Sequence, residues 1–324
     1  MRVGQVTLVE GNDVRTGVTA VLPHAGNIFQ DRVPAGLAVA NGVGKMTGVT
    51  QLLELGELET PLLLTNTLSV HDAAGALVAW TLDQKGNEAV RSVNAVVGET
   101  NDGYLNDIRR RAVSEAHVRR ALKLARKGAP AEGAVGAGTG TVCFGWKGGI
   151  GSSSRRLPRD LGGYRLGVLV QSNYGGQLQI LGVPMVDLHE KPAPDSGDGS
   201  IMIVIATDAP LSDRNLRRLA ARSFAGLART GSSLANRSGD YAIAFSTASA
   251  VRRTAAYRRQ ASRIVELAND NLSPLFQAVI ETTEEAIYNS LWAATTMTGY
   301  RGRTVPALPV ENVLARLRRQ GILA

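Results

Sequence analysis

One cysteine, Cys143, stands among 324 residues, so the chain cannot carry an internal disulfide framework, and one thiol does not make a zinc site. A reducing compartment, the cytoplasm, is the expected location. The four histidines, His24, His71, His117 and His189, are scattered, and none has a second histidine at zinc-helix spacing. No stretch approaches the roughly 18 apolar residues of a membrane span, and the start MRVGQVTLVEGND lacks the apolar core of a signal peptide. Membrane association is therefore not expected. Gly136, Gly138 and Gly140 spell G-x-G-x-G, but a dinucleotide site needs its third glycine one place later and a helix beyond it. No phosphate loop and no G-x-S-x-G around Ser200 are present. No cofactor and no metal are expected.

What the chain does have is 36 glycines, abundant aliphatic residues and only 5% aromatics, the composition of an α/β enzyme with enough length for a sizeable core. The formal charge of +8 invites a nucleic-acid reading. In the segment opened by Ser212, Leu216, Leu219, Ala220, Phe224 and Leu227 repeat at helical spacing, while Arg214, Arg217, Arg218 and Arg222 fall largely off that stripe. Arg252, Arg253, Arg258, Arg259 and Arg263 lack interleaved aromatics. Both sets predict solvated or subunit-contacting faces, and no nucleic-acid partner.

Apolar runs punctuated by glycine and asparagine predict strands at residues 3–9, 17–22, 62–64, 76–80, 93–97, 142–144, 166–170, 178–181 and 241–245. Helices are predicted over 47–55 and 105–127, from Ser212 onward, and from Ser273-Pro274 to about Thr298, closed by Gly299. His117 falls on the charged 105–127 segment and is expected to be solvated.

The most informative stretch is KPAPDSGDGSIMIVIATDAPL, where a polar loop enters an apolar strand at Gly199-Ser200. The run from Ile201 to Ala206 is apolar at every position, as in a strand covered on both faces. A cut before Ser200 would place its hydroxyl beside a new α-amine, a nucleophile with a built-in base. Gly199 suits such a cut, having no Cβ to obstruct attack. The same residues also describe a turn leading into a core strand. A Ser-His-Asp triad is possible as well, because its members need not be neighbours in sequence.

Six stretches carry a resemblance: GLAVANGVGKMTGVTQLLELGELETPLLLTNTLSV, VVGETNDGYLND, GTGTVCFGWKGGIGSSSR, VQSNYGG, DGSIMIVIATDAPL and TEEAIYNSLWAATTMTG. In these the chain resembles the DmpA-like L-aminopeptidase/D-esterase-amidases and β-peptidyl aminopeptidases, which are self-processing serine hydrolases, and it does so over nearly its whole length. The resemblance implies an α/β fold, an αββα sandwich like that of the N-terminal nucleophile hydrolases. It implies one catalytic domain, 1–324, cut into an α subunit, 1–199, and a β subunit, 200–324, that stay associated as an oligomer of heterodimers. Expected substrates are short peptides and amino-acid amides or esters.

Residue by residue, the resemblance makes Ser200 the nucleophile of both self-cleavage after Gly199 and substrate hydrolysis, and Asn173 the oxyanion donor. Ser238 and Asp240 match the pair that orients nucleophile and amine. Some members carry glutamate at the second position, so the reach of the shorter Asp240 is open. Tyr104 matches a tyrosine near the reacting carbonyl, and Glu99 a carboxylate that holds the substrate ammonium. Read without the resemblance, Asn173 and Ser238-Gly239-Asp240 are turns, Tyr104 packs at a helix start, and Glu99 and Asp102 suit a helix N-terminus. Family members usually have a lead-in before the VGQVT-like strand. Here Met1 precedes it at once: either the start is truncated or this member dispenses with the lead-in, and loss of that segment would bear on the first strand's edge and part of the subunit packing. An acyltransferase on a related scaffold and an uncleaved binding protein are the alternatives.

Overall fold

The computed structural model describes residues 1–185, 188 and 199–323; the polar residues 191–198 ahead of Gly199 lie outside them. Two sheets form the centre. One has four strands in the order Arg2–Glu10, Val14–Leu22, Leu62–Asn66 and Val96–Thr100. The other has seven strands. Along it run Arg253–Thr254, Asp31–Gly42, Gly239–Ser246, Ser200–Thr207, Arg165–Asn173 and Gly149–Arg156, with Glu57–Leu58 also paired to Asp31–Gly42.

Three apolar clusters give the layer order. Val3, Val21, Leu62 and Val96 of the first sheet meet Ile150, Leu169, Met202, Val204 and Phe245 of the second. The far side of the first sheet packs on α1 (Val70–Leu82) and α2 (Glu115–Leu124). The far side of the second packs on α3 (Asp213–Arg229) and α4 (Ser273–Trp292), with Val313 and Leu317 of α5 (Val310–Arg319) joining that cluster. The result is the expected αββα sandwich.

The Ser200 strand shows why the sequence reads as it does. All eight residues of Ser200–Thr207 are buried. Ile201, Ile203 and Ile205 face the helices, and Met202 and Val204 face the other sheet. Each such side chain stabilises the fold by about 1.5–3 kcal/mol when buried. A one-residue slip would exchange the two faces and carry Ser200 away from its neighbours.

Several expectations are corrected. Residues 76–80 are helical, since Val70, Ala73, Ala76, Leu77 and Thr81 bury one stripe of α1. The 105–127 helix shrinks to Glu115–Leu124, because Arg111 takes a left-handed conformation and Ser114 caps a new start. His117 completes that cap, accepting from the Ser114 N–H at 3.1 Å, and is half-buried rather than solvated. Past α2 the chain turns extended, and Arg126 bridges Val3 of the first strand. The helix expected over 47–55 forms at 49–55, with Leu52 N–H donating to Gly48 O at 3.2 Å and the wider turn Gln51–Leu55 ending it. α4 stops at Trp292, six residues before Thr298, where Thr295, Thr296 and Thr298 disfavour helix. Part of the arginine cluster turns inward: Arg252 pairs with Asp31 at 2.6 Å, and Arg253 pairs with Asp213 at 3.1 Å and Glu57 at 3.3 Å. Arg259 and Arg263 stay exposed, as expected.

Candidate active site

Three neighbouring strand ends assemble the centre. Ser200 opens the middle strand, with Asn173, the last residue of the antiparallel neighbour, directly opposite it. Gly239, the first residue of the parallel neighbour, faces it from the other side. The Gly239 N–H donates to the carbonyl oxygen of Gly199 at 3.0 Å and lies 3.2 Å from Ser200 Oγ. One backbone donor thus serves both the carbonyl and the hydroxyl at the Gly199-Ser200 bond. Close approach dictates both glycines. A Cβ on Gly199 would sit 2.3 Å from the Asn173 carbonyl oxygen, and one on Gly239 would sit 2.7 Å from the Cα of Gly44.

Asn173 is a strand end rather than a turn. Its Oδ1 accepts from the Val142 N–H at 3.0 Å. Because that N–H can only donate, the amide orientation is fixed, and Nδ2 is left without a hydrogen-bond partner among the described residues. An anchored acceptor and a free donor are what an oxyanion site needs.

On the other flank, Ser238 Oγ donates to Asp240 Oδ1 at 2.6 Å. The shorter aspartate therefore does reach its serine. Burial pushes the Asp240 pKa up to about 6, against the lowering effect of the Ser238 hydrogen bond. The second oxygen, Oδ2, is buried without a hydrogen-bond partner among the described residues.

Glu99 comes from the four-stranded sheet. Its Oε1 accepts from the Lys45 N–H at 2.8 Å, and its Oε2 accepts from the Thr67 hydroxyl. Burial raises its pKa, opposed by Thr67 and Lys45. Gly44 ties it to the nucleophile: a Cβ there would lie 3.1 Å from Glu99 Oε1, 2.9 Å from the Tyr241 ring and 3.3 Å from the Gly239 Cα. Tyr104 stands apart. It is 40% exposed, its ring lies under Arg303 at 4.9 Å, and it makes no hydrogen bond to Ser200 or Asn173 among the described residues.

Two buried charges escaped the sequence reading as site components. Lys147 is fully buried and donates to the carbonyls of Gly138 at 3.0 Å, Thr141 at 2.9 Å and Gly148 at 2.7 Å. Asp102, read from sequence only as a capping carboxylate, is buried and accepts from Asn106 Nδ2 at 2.9 Å. Burial pulls Lys147 down to about 7, with Asp102 and Cys143 acting against the fall, and pushes Asp102 up to about 7. A signal existed, because Lys147 is the one charged residue between Glu132 and Arg155. The Gly239 N–H carries no such signal, since backbone donors are invisible in sequence. Among the described residues no group of three or more His, Cys, Asp or Glu is placed to hold a metal, and no helix is long and apolar enough to cross a membrane.

A sandwich of two sheets between helix pairs, with a serine opening its central strand between an amide and a serine-carboxylate pair, has the layout of an Ntn-type hydrolase. Residues 1–305 match peptidase family S58, and the chain belongs to that family. It is 40% identical over 350 residues to the β-peptidyl aminopeptidase BapA of Sphingosinicella microcystinivorans, covering 100% of this chain and 87% of that protein. Its fold superposes on a Burkholderia sp. β-aminopeptidase with a TM-score of 0.93 at 42% identity, covering 100% and 92% of the two chains. It also superposes on the L-aminopeptidase D-Ala-esterase/amidase of Ochrobactrum anthropi, described as a prototype of the serine aminopeptidases and a variant of the Ntn-hydrolase fold. There the TM-score is 0.91 at 37% identity, covering 100% and 93%. The chain is thus a hydrolase with the Ntn-type sandwich expected from its motifs.

Proposed function

We propose that this serine aminopeptidase of family S58 matures by cutting its own chain between Gly199 and Ser200, and that the exposed serine then hydrolyses short peptides, amino-acid amides and esters with free amino termini. The observation that carries the reading is the Gly239 N–H shared by the Gly199 carbonyl and the Ser200 hydroxyl. In the self-cleavage step Ser200 Oγ attacks the Gly199 carbonyl carbon. Negative charge grows on the Gly199 oxygen, where the Gly239 N–H already donates. The C–N bond breaks as the Ser200 nitrogen takes the hydroxyl proton. Water then hydrolyses the resulting ester, leaving a Gly199 carboxylate and a Ser200 amine.

In the mature enzyme that amine, with an ordinary pKa of about 7.7–8.0, accepts the proton as Ser200 Oγ attacks the substrate carbonyl. The free Nδ2 of Asn173 donates to the oxyanion. Ser238, held by Asp240, orients the amine and hydroxyl, and Glu99 pairs with the substrate ammonium. The substrate class rests on the names of the relatives and on that buried carboxylate. Tyr104 keeps the role near the reacting carbonyl that the family resemblance implies, which requires its ring to leave the contact with Arg303. We further propose that fragments 1–199 and 200–324 remain one catalytic domain, since strands from both pair in the seven-stranded sheet. These heterodimers assemble into an oligomer, and the enzyme works in the cytoplasm, where the lone buried Cys143 stays reduced.

Intact mass and N-terminal sequencing test the core of this. Wild type is expected as two fragments, the smaller beginning Ser-Ile-Met-Ile, and Ser200→Ala as one folded, inactive chain. A different first residue, or a cleaved Ser200→Ala protein, overturns the assignment of the nucleophile.

A further inference from the structure

The buried ammonium of Lys147 lies outside the proposed mechanism, yet it bonds to a peptide group that touches the site. Thr141 O, which accepts from Lys147 Nζ at 2.9 Å, and Val142 N, which donates to Asn173 Oδ1 at 3.0 Å, are the two ends of one peptide unit. Gly148 N–H also donates to Thr141 O, at 3.1 Å. The chain of contacts therefore runs from the buried Lys147 amino group, through the Thr141–Val142 amide, into the carboxamide of Asn173, whose Nδ2 has no hydrogen-bond partner among the described residues.

We infer that Lys147 is a positioning residue for the oxyanion site: it fixes and polarises the Thr141–Val142 peptide so that Asn173 presents a rigid, electron-poor Nδ2–H to the developing oxyanion. The inference rests on the assignment of Asn173 as the oxyanion donor.

Two physical effects support it. The first is geometric. Three carbonyls, those of Gly138, Thr141 and Gly148, converge on Lys147 Nζ, which matches the three donors of an ammonium. This closes the glycine-rich segment into a rigid loop behind Asn173. The second is electronic. Charge on an amide oxygen strengthens the donor at the same amide's N–H, and hydrogen-bonded chains in a low-dielectric interior reinforce one another by roughly 10–30% per bond. The charged and titratable groups facing Lys147 are Asp102 and Cys143. A lysine buried for packing alone would not need to end on the peptide that holds Asn173.

A double-mutant cycle decides the matter. Wild type, Lys147→Met, Asn173→Ala and the double variant are assayed on an aminoacyl p-nitroanilide with a free amine. kcat is expressed per fragment beginning at Ser200, and melting temperature and processed fraction are measured on each sample. Lys147→Met is expected to lower kcat about 10-fold or more with KM changed less than about 3-fold, Lys147→Arg to recover much of that loss, and Lys147→Met to change kcat less than about 2-fold when Asn173 is already alanine. Equal fold losses in both backgrounds, or an unchanged kcat in Lys147→Met, overturn the inference. Should Lys147→Met not fold, the same cycle with the neutral Lys147→Gln decides by the same criterion, additive losses or an unchanged kcat counting against the relay. If Asn173→Ala alone keeps wild-type kcat, the oxyanion assignment fails first and the relay falls with it. A large Asn173 effect with an additive Lys147 effect removes the relay only.

Discussion

The seven-stranded sheet carries Ser200, Asn173 and Asp240 at the ends of three adjacent strands, whereas the four-stranded sheet contributes one carboxylate, Glu99, that meets them across the gap at Gly44. Bond-making groups need alignment to a fraction of an ångström. Adjacent strands locked by ladder hydrogen bonds supply it, and every residue of the Ser200 strand is buried to hold the register. A carboxylate that reads a charge tolerates a looser link, because Coulomb attraction falls slowly with distance. On the reading proposed above, chemistry sits on one sheet and recognition on the other.

That division can be broken most sharply at Asn173. Asn173→Ala is expected to lower kcat by roughly 10²- to 10³-fold with little change in melting temperature, because only the transition state uses the free Nδ2. A variant that melts early but keeps its turnover would make Asn173 a structural strand end. Glu99→Gln should act instead on recognition. Removing one partner of a buried charge pair costs about 2 kcal/mol or more, on the order of 30-fold, and we expect it in KM for free-amine substrates while N-acetylated analogues hardly change. A Glu99 effect confined to kcat would place this carboxylate among the bond-making groups and dissolve the contrast between the sheets.

Asp240 gives the smallest effect and a pH signature. With its pKa raised to about 6, it loses its charge as pH falls through that value, so the acid limb of kcat should contain an ionisation near 6 that Asp240→Asn removes. The same shift links to stability. Folding raises this pKa from 3.8 to about 6, so protonation favours the folded state, and its contribution is full below about 3.8 and lost as pH rises through about 6. Asp240→Asn should flatten the corresponding decline in melting temperature. An acid limb unchanged in Asp240→Asn would assign that ionisation elsewhere.

Much of the centre was legible because its parts are short and local. The junction of polar loop and unbroken apolar run marked Ser200 as the mouth of a doubly covered strand, and the structure buries that strand on both faces. Where strand and helix periods compete over a few residues, the reading failed. Residues 76–80 alone look like a strand, yet the stripe from Val70 to Thr81 is helical. The strands Asp31–Gly42 and Gly149–Arg156 escaped notice because proline, alanine, glycine and serine dilute their β signal. Lys147 was passed over as one lysine in a glycine-rich stretch, since three backbone carbonyls from separate positions solvate it only after folding.

By itself the sequence determined the composition of an α/β enzyme and the buried strand behind Ser200, which follow from hydrophobic burial and strand period acting over a few residues at a time. The family S58 sandwich came instead from the resemblance carried by long matching stretches. Tertiary structure alone decided that Gly239 offers one N–H to both sides of the Gly199-Ser200 bond, that Asn173 is anchored through Val142, and that Gly44 seats Glu99 beside them. The physical reason is that these contacts are made by backbone groups common to every residue, and only the pairing of strands far apart in the chain determines which of them meet.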